Sequence, residues 1–574
     1  LVLRQSHIGQ EPDGREPRIV LAVGLFALAL ATVLVLLRGA PAQAGHNSGS
    51  WLELLGTLSY RFSLGKSDLV RHWAASAALV LALLVVILSV RAVLCDVRAT
   101  LRLCVLVALF NGVVWSLIVP PFQVPDENAH YAYVQQVAER GTLPRPGPLD
   151  GPLSPREDRM LSALGTFAIA EHRGVPAPQT QAQQRTIERV AAERLSARGS
   201  GNALTATANP PLYYALQAVP YKLSGGAVLD KLAAMRLLSA LMGAATVALV
   251  FMFLRELLPG TRWAWPAGAL AVALQPLFGF MSGGVNNDDL LYLTAAGLLW
   301  ALARAFRHGL TPRGGASIGG FLGLGLVSKL TLLGFVPAAV LALVLLARRA
   351  WPQQRRRTVR AMALAVGLAV APIAIYTVLN RLVWTRGVIP GGVGSVASTD
   401  GRSFSTGREI EHVFQLFLPS LGMHRQFAYL PLWDTWFKGL FGRFGWLDYG
   451  FPAWFYKAAL AVSLLVCALA LAELARRRAS VRRRAGELAV YALAVLGLCV
   501  EIGIQSYRYM VITGGVFQQA RYLLPLLCLY AALAALAVRF GGRRWGPAMC
   551  AALVVLALGH DLYAQAITVA RYYA

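Results

Sequence analysis

The sequence predicts an all-α polytopic membrane protein of about thirteen transmembrane helices with two large exterior loops. Three observations carry this. Of 574 residues, 56% are hydrophobic and only 14% charged, whereas a soluble chain carries about a quarter charged residues. Apolar runs of the length needed to cross a ~30 Å hydrocarbon core recur along the whole chain, and the mean hydropathy is +0.54. Finally, the net charge of +26 is concentrated in short connections between those runs, as cytoplasmic loops require.

The spans fall near 19–37, 73–91, 103–119, 233–254, 263–281, 289–303, 314–328, 331–347, 359–379, 452–474, 487–506, 521–539 and 545–563. The first lies behind a charged leader and reads as a span, not a cleaved signal. Four regions follow: a leader with two extra spans (1–102), a membrane core (103–380), a second exterior loop (381–450) and a C-terminal four-span bundle (451–574). Arginine clusters occupy the short connections, including 348–360 and 476–484. With the amino terminus inside, these clusters are cytoplasmic. The two long loops differ: 120–232 holds eleven Lys/Arg against ten Asp/Glu, and 381–450 is similarly balanced. The positive charge therefore reports topology in the cytoplasmic (inner) membrane, and nucleic acid is not an expected partner. The segment 209–222 is apolar but too short to span, so it is expected to lie at the interface as a helix. The six cysteines sit in or beside apolar runs without metal-ligand spacing, so no disulfide or zinc site is expected.

Acidic residues are scarce, 28 in all, and two small groups fall at exterior span ends. The first is in Pro120-Pro-Phe-Gln-Val-Pro-Asp-Glu-Asn-Ala-His. Pro125 ends the preceding structure, and Asp126 is placed to cap a helix reaching about Glu139. Asp126 and Glu127 each share a helix face with His130. Beyond capping, paired acids at a membrane boundary suit a general base or ligands for a divalent cation such as Mg²⁺ or Mn²⁺. The second group is Gly283-Gly-Val-Asn-Asn-Asp-Asp, where Asp288 and Asp289 precede an apolar run. Capping competes here as well, but both groups face one side.

Lys329 is one of six lysines and interrupts an apolar stretch; Arg521 sits at another exterior span end. Snorkelling accounts for each alone, whereas together they are cations able to meet a phosphate. In the second loop Trp433, Trp436 and Trp446 are interfacial aromatics that can also stack on sugar rings, with His424 and Arg425 as polar candidates. No phosphate-binding glycine loop, nucleophile elbow or His-Glu-x-x-His motif supports soluble nucleotide-dependent chemistry.

The pieces PPFQVPDENAHYAYVQQVAERGTLP, NPPLYYALQAVPYKLSG, MRLLSALMGAATVALVFMFLREL, VNNDDLLYL, LGLVSKLTLL, GRFGWLDYGFP and QQARYLLPL occur in order between about 120 and 530. In these the chain resembles the GT-C superfamily of polyprenyl-phosphate-sugar-dependent glycosyltransferases. It is similar, more narrowly, to a family of bacterial polytopic membrane proteins classed by an uncharacterised domain. The resemblance implies a GT-C-like core with an early exterior acid as catalytic base, here Asp126 with Glu127 beside it. It implies donor-phosphate contacts at Lys329 and Arg521. Donor or acceptor contacts are implied at His130, Asp288, Asp289, Asn209, Tyr522 and Trp446. The implied partners are a polyprenyl-phosphate sugar, a glycan or glycolipid acceptor and membrane lipids. The family's Asn-Pro-Asp is here Asn286-Asn287-Asp288, and the first two spans have no counterpart in it. The alternative is a transporter or flippase of a lipid-linked sugar; it would display internal symmetry and midplane broken helices, which the sequence does not.

Overall fold

The computed structural model describes residues 96–144, 153–172, 180–198, 204–225, 227–383, 404–418, 432–515 and 518–573. The expected spans 19–37 and 73–91, with His424 and Arg425, lie outside the described residues. Helix α1 (Val97–Ile118) is capped by Asp96, whose carboxylate accepts from the Arg98 N–H, and it ends just before the prolines at 120 and 121. After a loop, α2 (Glu127–Arg140) runs to Gly141, whose φ of 65° supplies the left-handed turn that closes a helix. Two short helices of the first loop, α3 (Pro155–Leu164) and α4 (Gln181–Ala192), carry hydroxyl caps from Ser154 and Thr180 and pack on each other. Helix α5 (Leu212–Leu223) is the short helix expected over 209–222. At twelve residues it is about 18 Å long. It buries Tyr213, Tyr214, Gln217 and Tyr221 and exposes Leu216, Val219 and Leu223.

The membrane body follows: α6 (Val228–Leu257), α7 (Ala264–Ala273), α8 (Pro276–Ser282), α9 (Asp288–His308), α10 (Pro312–Leu326) and α11 (Val336–Leu382). After α12 (Thr406–Phe417) come α13 (Ala453–Arg476), α14 (Ala485–Thr513), α15 (Leu527–Phe540) and α16 (Gly542–Tyr573). The all-α polytopic class is correct, with one small exception: β1 (Arg443–Phe444) pairs antiparallel with β2 (Tyr449–Gly450).

The count of thirteen spans is not confirmed. Among the described residues, eight helices are long and apolar enough to cross a membrane, or nine if α7 and α8 form one span bent by 59°. Two local features account for differences inside this region. The expected spans 331–347 and 359–379 lie in one helical run, broken only at Gln354 (φ −139°, ψ 43°). The 314–328 span is a fifteen-residue helix, about 22 Å long and short of a full crossing.

Close packing explains the glycines of that short helix. A Cβ on Gly315, Gly319 or Gly323 would stand 2.0–2.2 Å from the carbonyl oxygens of Ala361, Ala365 and Leu368. Only hydrogen fits there, the small-residue spacing that lets membrane helices touch backbone to backbone. The body is also charge-polarised end to end. Asp288 begins α9 while Arg307 and His308 end it, about 30 Å away. At that far end Glu256 holds Arg307 at 3.1 Å, Glu487 holds Arg484 at 2.8 Å, and the Arg484 guanidinium reaches the Leu257 carbonyl at 2.7 Å.

Candidate active site at the acidic end of the membrane body

Four segments far apart in sequence deliver four charges to one place. Asp126 ends the loop between α1 and α2 with φ 61°, a left-handed conformation unusual for a residue other than glycine. The loop carrying Asp288 approaches it closely, because a Cβ on Gly284 would stand 2.5 Å from the Val124 side chain. The Asn286 amide then donates to the Pro125 carbonyl at 2.9 Å, tying the two loops together. Lys329 follows the end of α10, and the Asn287 amide holds the neighbouring Ser328 carbonyl at 3.3 Å. Arg521 lies in a 3-10 turn over Ala520–Leu526, its carbonyl fixed by the Tyr292 hydroxyl at 3.1 Å.

The side chains form a chain of alternating charge. Arg521 Nη2 donates to Asp126 Oδ2 at 2.5 Å, Arg521 Nε lies 3.7 Å from Asp288 Oδ2, and Lys329 Nζ donates to Asp288 Oδ1 at 2.5 Å. Tyr522 lies beneath both cations: its ring centroid is 5.3 Å from the Lys329 ammonium and 5.1 Å from the Arg521 guanidinium. Its hydroxyl accepts from Arg521 Nη2 at 3.2 Å. The Asp288 side chain is wholly buried, Arg521 is 4% and Lys329 15% exposed, while Asp126 is 33% exposed. Asp126 therefore stands at the mouth and the cations behind it.

Burial alone would raise the Asp126 pKa, but Arg521, with His130 and Lys329, holds it below the ordinary carboxylate value. Burial acts oppositely on the Lys329 ammonium, pulling it below its usual value against the opposing pull of Asp288. His130 is driven down to about 3, mainly by burial, with Lys329 and Arg521 adding to it and Asp126 opposing. Its imidazole is neutral at neutral pH; Nδ1 lies 2.9 Å from the Tyr214 hydroxyl.

Two sequence expectations change here. Asp126 occupies the position before α2 but makes no side-chain capping bond; its left-handed backbone turns the carboxylate toward Arg521. Glu127 is part of the scaffold. Its Oε1 accepts from Arg236 Nε at 2.8 Å and the Val285 N–H at 3.0 Å. Its Oε2 accepts from Arg236 Nη2 at 2.6 Å and the Phe122 N–H at 2.8 Å. With four donors on two oxygens and no exposure, Glu127 offers nothing to a metal. Among the described residues no three His, Cys, Asp or Glu side chains group to hold a metal ion. The pair Asp126 and Glu127 does not fit the divalent cation expected there.

Of the remaining candidates, Tyr522 is in the charged cluster, while Asp289 is buried on the Ser239 side. Asn209 belongs to an aromatic wall: its carbonyl accepts from the Tyr133 hydroxyl at 3.1 Å, and Tyr133 stacks on Tyr214 at 3.6 Å. Trp446 sits in the turn between β1 and β2 and donates to the Gln123 side chain at 3.1 Å, binding the second loop to the loop bearing Asp126. Sequence reading missed Arg236, whose five N–H groups go to Glu127 and to the carbonyls of Ser116, Val119 and Pro120. An arginine inside an expected span is itself a signal.

Comparison with curated proteins finds no match. Among solved structures, the chain is similar to the crystal structure of ArnT from Cupriavidus metallidurans in the apo state. The identity is 13% and the TM-score 0.41, over 82% of this chain and 78% of that one. The family described as "Predicted membrane protein (DUF2142)" matches residues 109–530, a stretch holding all four residues of the charged chain. The chain belongs to this DUF2142 family of membrane proteins.

Proposed function

We propose that the protein is a membrane glycosyltransferase of GT-C type. It moves a sugar from a polyprenyl-phosphate donor to an extracytoplasmic glycan or glycolipid acceptor. The observation that carries this reading is the chain Asp126–Arg521–Asp288–Lys329 at one end of the membrane body. One carboxylate is partly open to solvent, and two cations lie behind it where a lipid phosphate can reach. The arginine-rich opposite end supports a cytoplasmic-membrane orientation with the site outward, where a lipid-linked sugar replaces the nucleotide sugars of the cytoplasm.

Asp126 accepts the proton of an acceptor hydroxyl as its oxygen attacks the anomeric carbon. The bond from that carbon to the phosphate oxygen breaks, and its electron pair leaves with the phosphate. Arg521 and Lys329 stabilise the charge that grows there, and Asp288 fixes both cations. Proton acceptance by a positioned base contributes roughly 10²–10⁴-fold. Glu127 acts through Arg236 to hold the loop that presents Asp126, and neutral His130 presents a hydrogen-bonding ring to the sugars. Single displacement gives inversion at the anomeric carbon.

The test is purified protein with a radiolabelled polyprenyl-phosphate sugar and a glycan acceptor. Transfer with inverted configuration is expected, and Asp126→Asn should lower it by at least about 100-fold. A product with retained configuration overturns the mechanism, and undiminished turnover in the variant removes Asp126 as base.

A further inference from the structure

We propose that the Asp126–Arg521 ion pair is a latch which a lipid-borne phosphate opens, so that the carboxylate becomes available as a base only once the donor has arrived. The inference rests on the proposed glycosyl transfer for its purpose, but its test is a binding measurement.

The first observation is position. Arg521 is almost fully buried, and the most exposed member of the charged chain is its partner Asp126, at 33% against 15% for Lys329. A phosphate approaching from the mouth meets a carboxylate first, and like charges repel. The second is donor count. Both N–H groups of Arg521 Nη2 are in use, one on Asp126 and one on the Tyr522 hydroxyl. Nη1 leans on the Pro125 carbonyl at 3.4 Å. Nε is buried and turned toward Asp288. A phosphate that binds the guanidinium through two parallel N–H bonds must displace one of the two Nη2 partners, Asp126 or the Tyr522 hydroxyl, and Asp126, 33% exposed, is the partner open to solvent.

The third observation is charge balance. Two carboxylates face two cations, so the resting site has no surplus positive charge with which to hold a phosphate. Release of Asp126 from Arg521 creates that surplus locally. A donor phosphodiester carries one negative charge. After transfer the phosphate monoester carries two, and Asp126 carries the acceptor's proton. The summed charge facing Arg521 and Lys329 is the same before and after, so the handover needs no counterion. Loss of the proton from Asp126 restores its claim on Arg521 and helps expel the spent lipid phosphate.

The backbone allows a clean test. Asn and Gly both accept a φ near 61°, so Asp126→Asn and Asp126→Gly remove the competing charge without straining the loop. Binding of a polyprenyl monophosphate is measured on the full chain in lipid nanodiscs, with inorganic phosphate as a second arm. Both variants should bind the lipid about tenfold more tightly than wild type, the scale of losing one charge-assisted competitor. Inorganic phosphate should follow the same order at weaker affinity. Unchanged or weakened lipid binding in the variants overturns the latch, and equal affinity for the two probes overturns the lipid source. If the lipid phosphate binds none of the three proteins, the latch and the proposed function fall together. If the variants bind more tightly while wild type transfers no sugar, the latch stands and the transferase reading falls.

Discussion

Asp126 is a weak base while it touches Arg521, because the guanidinium that orients it also stabilises its charge. Its depressed pKa means that the resting ion pair is fully formed above the ordinary carboxylate value of about 3.9. The pair is lost only as pH falls through the lower folded value. Under the latch, donor phosphate removes that stabilisation and the carboxylate pKa rises. The acid limb of kcat, which reports the bound complex, should therefore lie at higher pH than the acid limb of kcat/KM, which reports the free enzyme. Coincident limbs would mean that Asp126 keeps its partner throughout. Asp126, Asp288, Lys329 and Arg521 were legible in the sequence because each is a charge beside apolar runs, where a charge is costly. The scaffold contacts of Glu127 were not legible, because two adjacent acids look alike on paper. Which of them faces the mouth depends on the left-handed backbone at 126, and no residue-type pattern encodes that.

At the scale of elements, Arg236 on α6 joins the end of α1, the start of α2 and the loop before α9 through one guanidinium and one carboxylate. Such a buried pair contributes little beyond an apolar substitute, but removing one partner strands the other charge at a cost of about 3–5 kcal/mol. Arg236→Ala should therefore lower the thermal stability of the purified protein markedly. Arg236→Lys, which keeps the charge but loses the fork, should retain more stability yet misplace Asp126 and reduce turnover. A variant Arg236→Ala as stable as wild type would show that other contacts hold the loop. Helix positions were largely readable from apolar runs, and so was the shortness of α5, since three prolines and a dozen residues cannot make a span. The kink at Gln354 and the shortness of α10 were not, because hydropathy sees composition and not where a backbone bends or which glycines admit a neighbour.

For the whole molecule, the separation of acidic and arginine-rich ends makes a topological prediction. In a cysteine-free background, a cysteine replacing Gln184 on α4 should react with an impermeant thiol reagent on intact cells. One replacing Ala479, between α13 and α14, should react only after permeabilisation. The reverse pattern would place the charged chain in the cytoplasm. The large separation of its members along the chain also bears on biogenesis. Lys329 follows Asp288 by 41 residues, so these two can pair soon after both are inserted. Asp126 must wait for Arg521, 395 residues later. At roughly 5–20 residues per second of synthesis, that wait is on the order of tens of seconds, during which the carboxylate has no guanidinium. A ribosome that stalls shortly before 521 leaves a membrane-embedded body with most of the described helices and an incomplete charged chain. On the proposed transfer, the late arginine thus acts as a gate in synthesis: a nascent chain holds no complete charged centre until Arg521 has been made.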